Sequence, residues 1–221
     1  MVGQRPTSQH MKILESVNGI EVKRAFVVAD LISAKKDRRK HLTLVPEHVF
    51  RRKLKTAKKK ALKMPISTLN RIIKNEWAKR LRAYDDYDWY IGTASVDEIG
   101  VWKKAGGLPL AWTKGSLAQT AAHVKSALEH DPKILKKRSR YSIPNILKTN
   151  VHILQKEKYL FPIIFKGGTG TRGRKGLKRK MKGDIDDGCM RSVALAISGK
   201  KTIRAYIGFP RKVQKSKNKR V

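Results

Sequence analysis

Three carboxylates fall within four positions, at Asp184, Asp186 and Asp187, in an otherwise strongly basic third of the chain. Carboxylates at that spacing are able to share a Mg²⁺ ion, which would activate water and offset charge on a phosphate during hydrolysis. The plainer reading is a turn closed by Gly188, or ion pairs with the neighbouring Lys/Arg run, and it is preferred. A calcium-loop reading fails, because Gly188 comes one position early and Leu195 stands where the closing glutamate is needed. Asp85, Asp86 and Asp88 form a second acidic group and read as a helix end and turn.

The basic residues carry a different chemistry. Arg51, Arg52, Lys55, Lys58, Lys59 and Lys60 share a stretch, 46–63, whose apolar residues Val49, Phe50, Leu54, Ala57, Ala61 and Leu62 recur at helical spacing. This predicts an amphipathic helix with one cationic face. A glycine-rich loop, 166–182, adds Arg172, Arg174, Lys175, Lys178, Arg179, Lys180 and Lys182. Arg138 and Arg140 end the basic run 133–140, and Arg211 and Lys212 open a basic tail, 211–221. Lysines and arginines so placed bind a polyanion by displacing its condensed counterions. The runs 133–140 and 174–182 also read as nuclear-import signals.

Asp184-Ile185-Asp186-Asp187 is similar to the Asp-x-Asp-Asn signature of the RusA family of Holliday-junction resolvases. That resemblance is confined to a short stretch and implies a Mg²⁺-dependent nuclease acting through Asp184, Asp186 and Asp187. The family's lysine four positions beyond the second aspartate is Met190 here, and the nearest basic residue is Arg191.

Other chemistries lack their residues. The single Cys189 excludes an intramolecular disulfide and a zinc-finger spacing, and reads as a buried structural thiol. His10, His41, His48, His123, His130 and His152 are too dispersed for a metal set. There is no GxxxxGK[ST], GxSxG or HExxH pattern, and no RNP1 octamer. Gly167 to Gly170 lacks the helical context of a KH-type loop. No cofactor is expected apart from Mg²⁺ under the nuclease reading.

These residues must be positioned by a chain of 221 residues with net charge +35, 52 Lys+Arg against 17 Asp+Glu. At 40% hydrophobic residues a folded core is expected, and no apolar run is long enough to span a bilayer. The charge is uneven: +12 over residues 1–65, +2 over 66–130 and +21 over 131–221. All four tryptophans, Trp77, Trp89, Trp102 and Trp112, lie in the near-neutral middle, which reads as the packed centre between two basic wings.

The expected architecture is α+β, a small mixed or antiparallel sheet packed with three to four helices, plus a flexible basic loop and tail. Its segments are a basic N-terminal wing (1–65), a Trp-containing core (66–165), the Gly/Arg/Lys loop with C-terminal strands (166–210) and a disordered basic tail (211–221). Within them, residues 20–28 read as a strand after the turn signal Asn18-Gly19, and 42–45 as another ended by Pro46. A second helix is expected from an N-cap at Ser67, with Leu69, Ile72, Ile73, Trp77, Leu81 and Tyr84 on one stripe. Tyr87 to Gly92 reads as a strand. Ser116 and Gln119 are spaced as a capping box, ahead of a helix closed by Asp131-Pro132.

A further helix is expected through Ile146, Leu147, Val151 and Leu154. Residues 159–165 read as a strand with Pro162 at an edge, 192–197 as helix or strand, and 202–209 as a half-buried strand. The aromatic groups Tyr84, Tyr87, Trp89 and Tyr90, and Tyr159, Phe161 and Phe165, fit core packing better than base stacking.

The function expected from this reading is non-enzymatic: binding RNA, ahead of DNA, and packaging or stabilising a structured polyanion inside a ribonucleoprotein particle. Ribosomal-type proteins and viral nucleocapsid or coat proteins are the two settings that produce such a composition. The alternative is the metal-dependent nuclease or junction resolvase. A soluble intracellular protein with no membrane partner is expected, its compartment left open, with the nucleus and a ribonucleoprotein particle among the alternatives.

Overall fold

The computed structural model describes residues 11–32, 46–76, 78–131, 151–166 and 181–211. The architecture is α+β. Among the described residues, six strands form one mixed sheet and seven α-helices pack with it, a larger assembly than the sequence pattern implied. The strands are β1 (Lys12–Val17), β2 (Tyr87–Ser95), β3 (Ile99–Val101), β4 (Ile163–Lys166), β5 (Gly183–Asp187) and β6 (Thr202–Pro210), in the order β1-β2-β6-β4-β5-β3. β2 pairs antiparallel with β1 and β6, β4 runs parallel to β6 and antiparallel to β5, and β3 runs parallel to β5. The sheet therefore interleaves strands that are far apart in sequence. Gly92 permits β1 to approach, since a Cβ there would collide with the Lys12 carbonyl.

The helices are α1 (Gly19–Ile32), α2 (Glu47–Lys63), α3 (Ile66–Glu76), α4 (Ala78–Asp85), α5 (Leu117–His130), α6 (Val151–Lys156) and α7 (Cys189–Ile197). The strand expected over 20–28 is part of α1. Val22, Ala25, Phe26, Ala29 and Ile32 recur at helical spacing and are buried, but Val27 and Val28 are buried too, so the helix lacks the polar stripe that reveals its period. Asn18, taken as a turn signal, caps it: its Oδ1 accepts from the Ile20 N–H at 2.9 Å.

The helix expected across 67–84 is two helices, α3 and α4. Ser67 is not the cap; the Pro65 carbonyl accepts from Thr68 and Leu69, so the helix begins at Ile66. The capping box of Ser116 and Gln119 is formed as its spacing predicts, with Asp131 at the other end of α5. Residues 159–165 are not one strand. Glu157 accepts from the Tyr159 N–H at 3.2 Å and caps a 3-10 turn over Lys158–Leu160, and extended pairing starts only after Pro162. The ambiguous 192–197 segment belongs to α7.

The aspartate segment is a strand as well. Asp184 to Asp187 lie in β5, between β4 and β3, and the chain reverses only at Gly188, whose φ of 83° precedes α7. Pairing between strands distant in sequence, which periodicity cannot display, overrides the local turn chemistry.

One continuous core runs from Val22 and Phe26 through Trp89, Ile99 and Leu117 to Ile185, Val193 and Tyr206, so it is not confined to the near-neutral middle. Trp89 is buried, whereas Trp102 and Trp112 are half-buried at its margin. Tyr84, Trp89, Tyr159, Phe161 and Phe165 are buried, as core packing required. The strand reading of 42–45, the helix through Ile146 and Leu147, most of the 166–182 loop and the tail beyond Arg211 lie outside the described residues. No described helix is long and apolar enough to cross a membrane.

Candidate functional site

α2 sorts its side chains by period. Phe50, Leu54, Ala57 and Ala61 return every three or four residues and are buried, while the rest of the circumference is mostly cationic and Leu62, expected on the apolar face, is exposed. Pro46 accepts the first backbone bonds of the helix, from Val49 and Phe50, and Lys60 and Lys63 occupy its last turn, where the helix dipole favours positive charge.

Arg51, Arg52, Lys53, Lys55, Lys59, Lys60 and Lys63 are exposed. Arg51 contacts Glu47 at 2.5 Å, and Lys58 is half-buried, 2.8 Å from Glu157 and 5.3 Å from the centre of the Tyr159 ring. Among the described residues the other six carry no carboxylate partner. Arg52, Lys55, Lys59 and Lys63 follow one another along a single face, a row about 16 Å long at the rise of an α-helix.

Four cations beyond those expected are exposed on other helices: Arg71 and Lys74 on α3, and Lys79 and Arg82 on α4, where Arg82 contacts Asp86 at 3.4 Å. Arg71 and Lys74 stand opposite the buried Leu69 and Ile73 and were recoverable from the same periodicity. Of the other expected contact residues, Lys182 is bound to Glu98 through both its ammonium group and its backbone N–H. Arg211 contacts Asp88 at 2.9 Å. Arg138, Arg140, Arg172, Arg174, Lys175, Lys178, Arg179, Lys180 and Lys212 lie outside the described residues.

The aspartates occupy a different environment. Asp186 is 4% exposed, and the β4–β5 register shifts beside it, a bulge of the kind that re-aims side chains. Its carboxylate meets α4. Arg80, 2% exposed, places Nε 2.8 Å from Asp186 Oδ2, and the Tyr84 hydroxyl donates to the same oxygen at 2.9 Å. The Arg80 guanidinium also lies over the Phe26 ring at 4.8 Å, and Tyr84 stacks on Phe165 with centroids 5.8 Å apart.

Asp186 is thus ion-paired with a helix distant in sequence, while most of the adjacent basic run expected to pair with it lies outside the described residues. Asp187 contacts Arg191 at 2.8 Å, and Asp184 is buried opposite Phe165. A metal ion at Asp186 would have to displace a guanidinium. Among the described residues, no group of three or more His, Cys, Asp or Glu side chains is arranged to hold a metal ion. Cys189 is buried and donates its thiol to the Ile185 carbonyl at 3.4 Å.

A second buried cation has no signal in the sequence. Lys23, 4% exposed, donates to Asp85 at 2.6 Å and to Asn70 at 2.9 Å, fastening α1 to α3 and α4. Only the fold reveals it, since the strand expected there hid its partners.

Charge states follow from these contacts. Burial works against the Arg80 cation, but Tyr84, Asp186 and Asp187 outweigh it and hold the pKa above the ordinary arginine value. Burial, reinforced by Asp186, pushes the Tyr84 hydroxyl well above 10.0, and burial with Glu21 nearby also raises Tyr206. A tyrosine with a raised pKa keeps its proton in the folded state while the unfolded chain ionises, so folding stability is fully present below pH 10.0 and falls above it. Alkaline titration followed by phenolate absorbance is expected to show Tyr84 and Tyr206 ionising only as the protein unfolds. All six tyrosines titrating freely before unfolding would refute it.

Compared with protein-family models, curated proteins and solved structures, the chain matches none.

Proposed function

We propose that the protein binds structured RNA and packages or stabilises it inside a ribonucleoprotein particle, of ribosomal or nucleocapsid type, through distributed Lys/Arg contacts to phosphates. The observation that carries this reading is the exposed face of α2, on which Arg52, Lys53, Lys55, Lys59, Lys60 and Lys63 have no carboxylate partner among the described residues while the opposite face is anchored in the core. A helix whose backbone is already ordered by its core contacts meets a phosphate backbone with only the side-chain ordering of its lysines and arginines left to offset. The net charge of +35 speeds encounter with any polyanion.

The test is a titration of the full chain against labelled single-stranded RNA, hairpin RNA and duplex DNA at several salt concentrations, in Mg²⁺ or EDTA, each sample then run on a denaturing gel. Binding that falls steeply with salt, favours RNA and leaves it intact in both buffers is the expected result. Salt-insensitive or absent binding would overturn it. Mg²⁺-dependent cleavage that disappears in EDTA would instead support a nuclease using Asp184, Asp186 and Asp187.

A further inference from the structure

At the sheet edge formed by β3, the surface between β3 and α5 combines stacked rings with cations. From Ile99 to Leu128 the sequence carries Lys103, Lys104, Lys114 and Lys125 and no carboxylate. Lys103, Lys104 and Lys114 are exposed. Trp112 sits on the 3-10 turn Leu110–Thr113, half-buried, and its ring lies nearly parallel to the exposed His123 ring of α5, at 12° with centroids 5.7 Å apart.

The Lys104 N–H donates to Thr113 Oγ1 at 3.0 Å, which ties the two parts of the patch together. Lys104 has a φ of 56°, the left-handed region, and is the one non-glycine residue with positive φ among those described. Strain of that kind persists where the surroundings fix it, and such positions concentrate at functional sites.

Packing against the core accounts for the buried part of Trp112. It does not account for a second, exposed, parallel ring beside three exposed lysines. Flat rings beside ammonium groups match the two halves of a nucleotide, with a base stacked on the aromatic face and phosphates met by the lysines. A paired base has both faces occupied within its helix, so the ligand that fits is unpaired.

We propose that Trp112 and His123 seat an unpaired nucleobase of RNA, with Lys103, Lys104 and Lys114 meeting the adjoining phosphates. This rests on the RNA-binding reading and extends it from phosphate contacts to base contacts.

The experiment uses the full chain, a labelled single-stranded oligoribonucleotide containing 4-thiouridine, and a blunt RNA duplex of equal length. Trp112→Ala is expected to weaken single-strand binding ~10-fold and leave duplex binding unchanged. His123→Ala, at an exposed position, should act in the same direction, and Trp112→Phe should retain most of the affinity. Photocrosslinks are expected on Trp112 or His123.

Circular dichroism on each variant separates misfolding from removal of the stacking ring; because His123→Ala removes only an exposed ring, it keeps the proposal testable if Trp112→Ala is unstable. Single-strand affinity equal to wild type in His123→Ala, and in Trp112→Ala where it folds, with no crosslink in residues 110–123, would overturn the base seat. That result alongside steep salt-dependent binding by the wild type removes only the base seat, whereas failure of the wild type to bind either probe removes the RNA-binding reading itself.

Discussion

Replacing Asp186 with alanine is expected to lower the unfolding free energy by about 3–5 kcal/mol, the usual cost of stranding a buried charge. Arg80 and Asp186 are both almost wholly enclosed, and the Arg80 cation has Phe26 on one side and this carboxylate on another. Without Asp186 the guanidinium must either stay buried without that counter-charge or drag α4 open to water. The Tyr84 hydroxyl loses its acceptor at the same time, at a position that is completely enclosed.

Urea unfolding gives the answer as a fall in midpoint at unchanged slope. A second variant isolates the cause: Arg80→Met combined with Asp186→Leu removes both charges, and it should cost clearly less than the sum of the single substitutions. Additive costs would mean that the two groups are not coupled. The conservative Asp186→Asn keeps an acceptor for Tyr84 and should fall between wild type and alanine. It is also the safer variant for asking whether Asp186 matters to any cleavage, since loss of activity in an unfolded protein says nothing about chemistry.

The second large effect concerns α2. Changing Arg52, Lys55, Lys59 and Lys63 together to glutamine is expected to flatten the plot of log affinity against log salt for single-stranded RNA by about 3 units, at roughly −0.7 for each phosphate no longer neutralised. Between about 50 and 200 mM salt the wild type would then lose about 50-fold more affinity than the variant. The four side chains are exposed and none belongs to the buried stripe, so the thermal midpoint should scarcely move.

A charge-matched control, with Lys12, Lys156, Lys200 and Lys201 changed instead, carries the same net charge and should keep most of the slope. Equal slopes in the two variants would show that only overall charge matters and would remove α2 from the interface. A companion variant of Arg172, Arg174, Lys175, Lys178, Arg179 and Lys180 asks the same question of the glycine-rich loop, where an unchanged slope excludes it.

Features whose physics is local were legible in the order of the residues. The cationic face of α2 was one, because Phe50, Leu54, Ala57 and Ala61 mark a stripe of period 3.6 among lysines. The capping box at Ser116 and Gln119 was another, since its two reciprocal hydrogen bonds join residues three apart. The net charge of +35 required no fold at all. α1 defeats the same reasoning because a helix buried nearly all round shows no polar stripe, and its Val, Ala and Ile content suits a strand as well.

The fate of the charged residues in the interior was settled by packing. Nothing near Asp186 in sequence announces Arg80 and Tyr84 as its partners, and nothing near Lys23 announces Asp85 and Asn70. Those pairs are made by stacking helices on a sheet whose strand order mixes both ends of the chain. A carboxylate beside a basic run looks like a surface ion pair or a metal ligand until pairing buries its strand. Burial then compels a counter-charge within contact distance, and the fold, not the local sequence, selects which one.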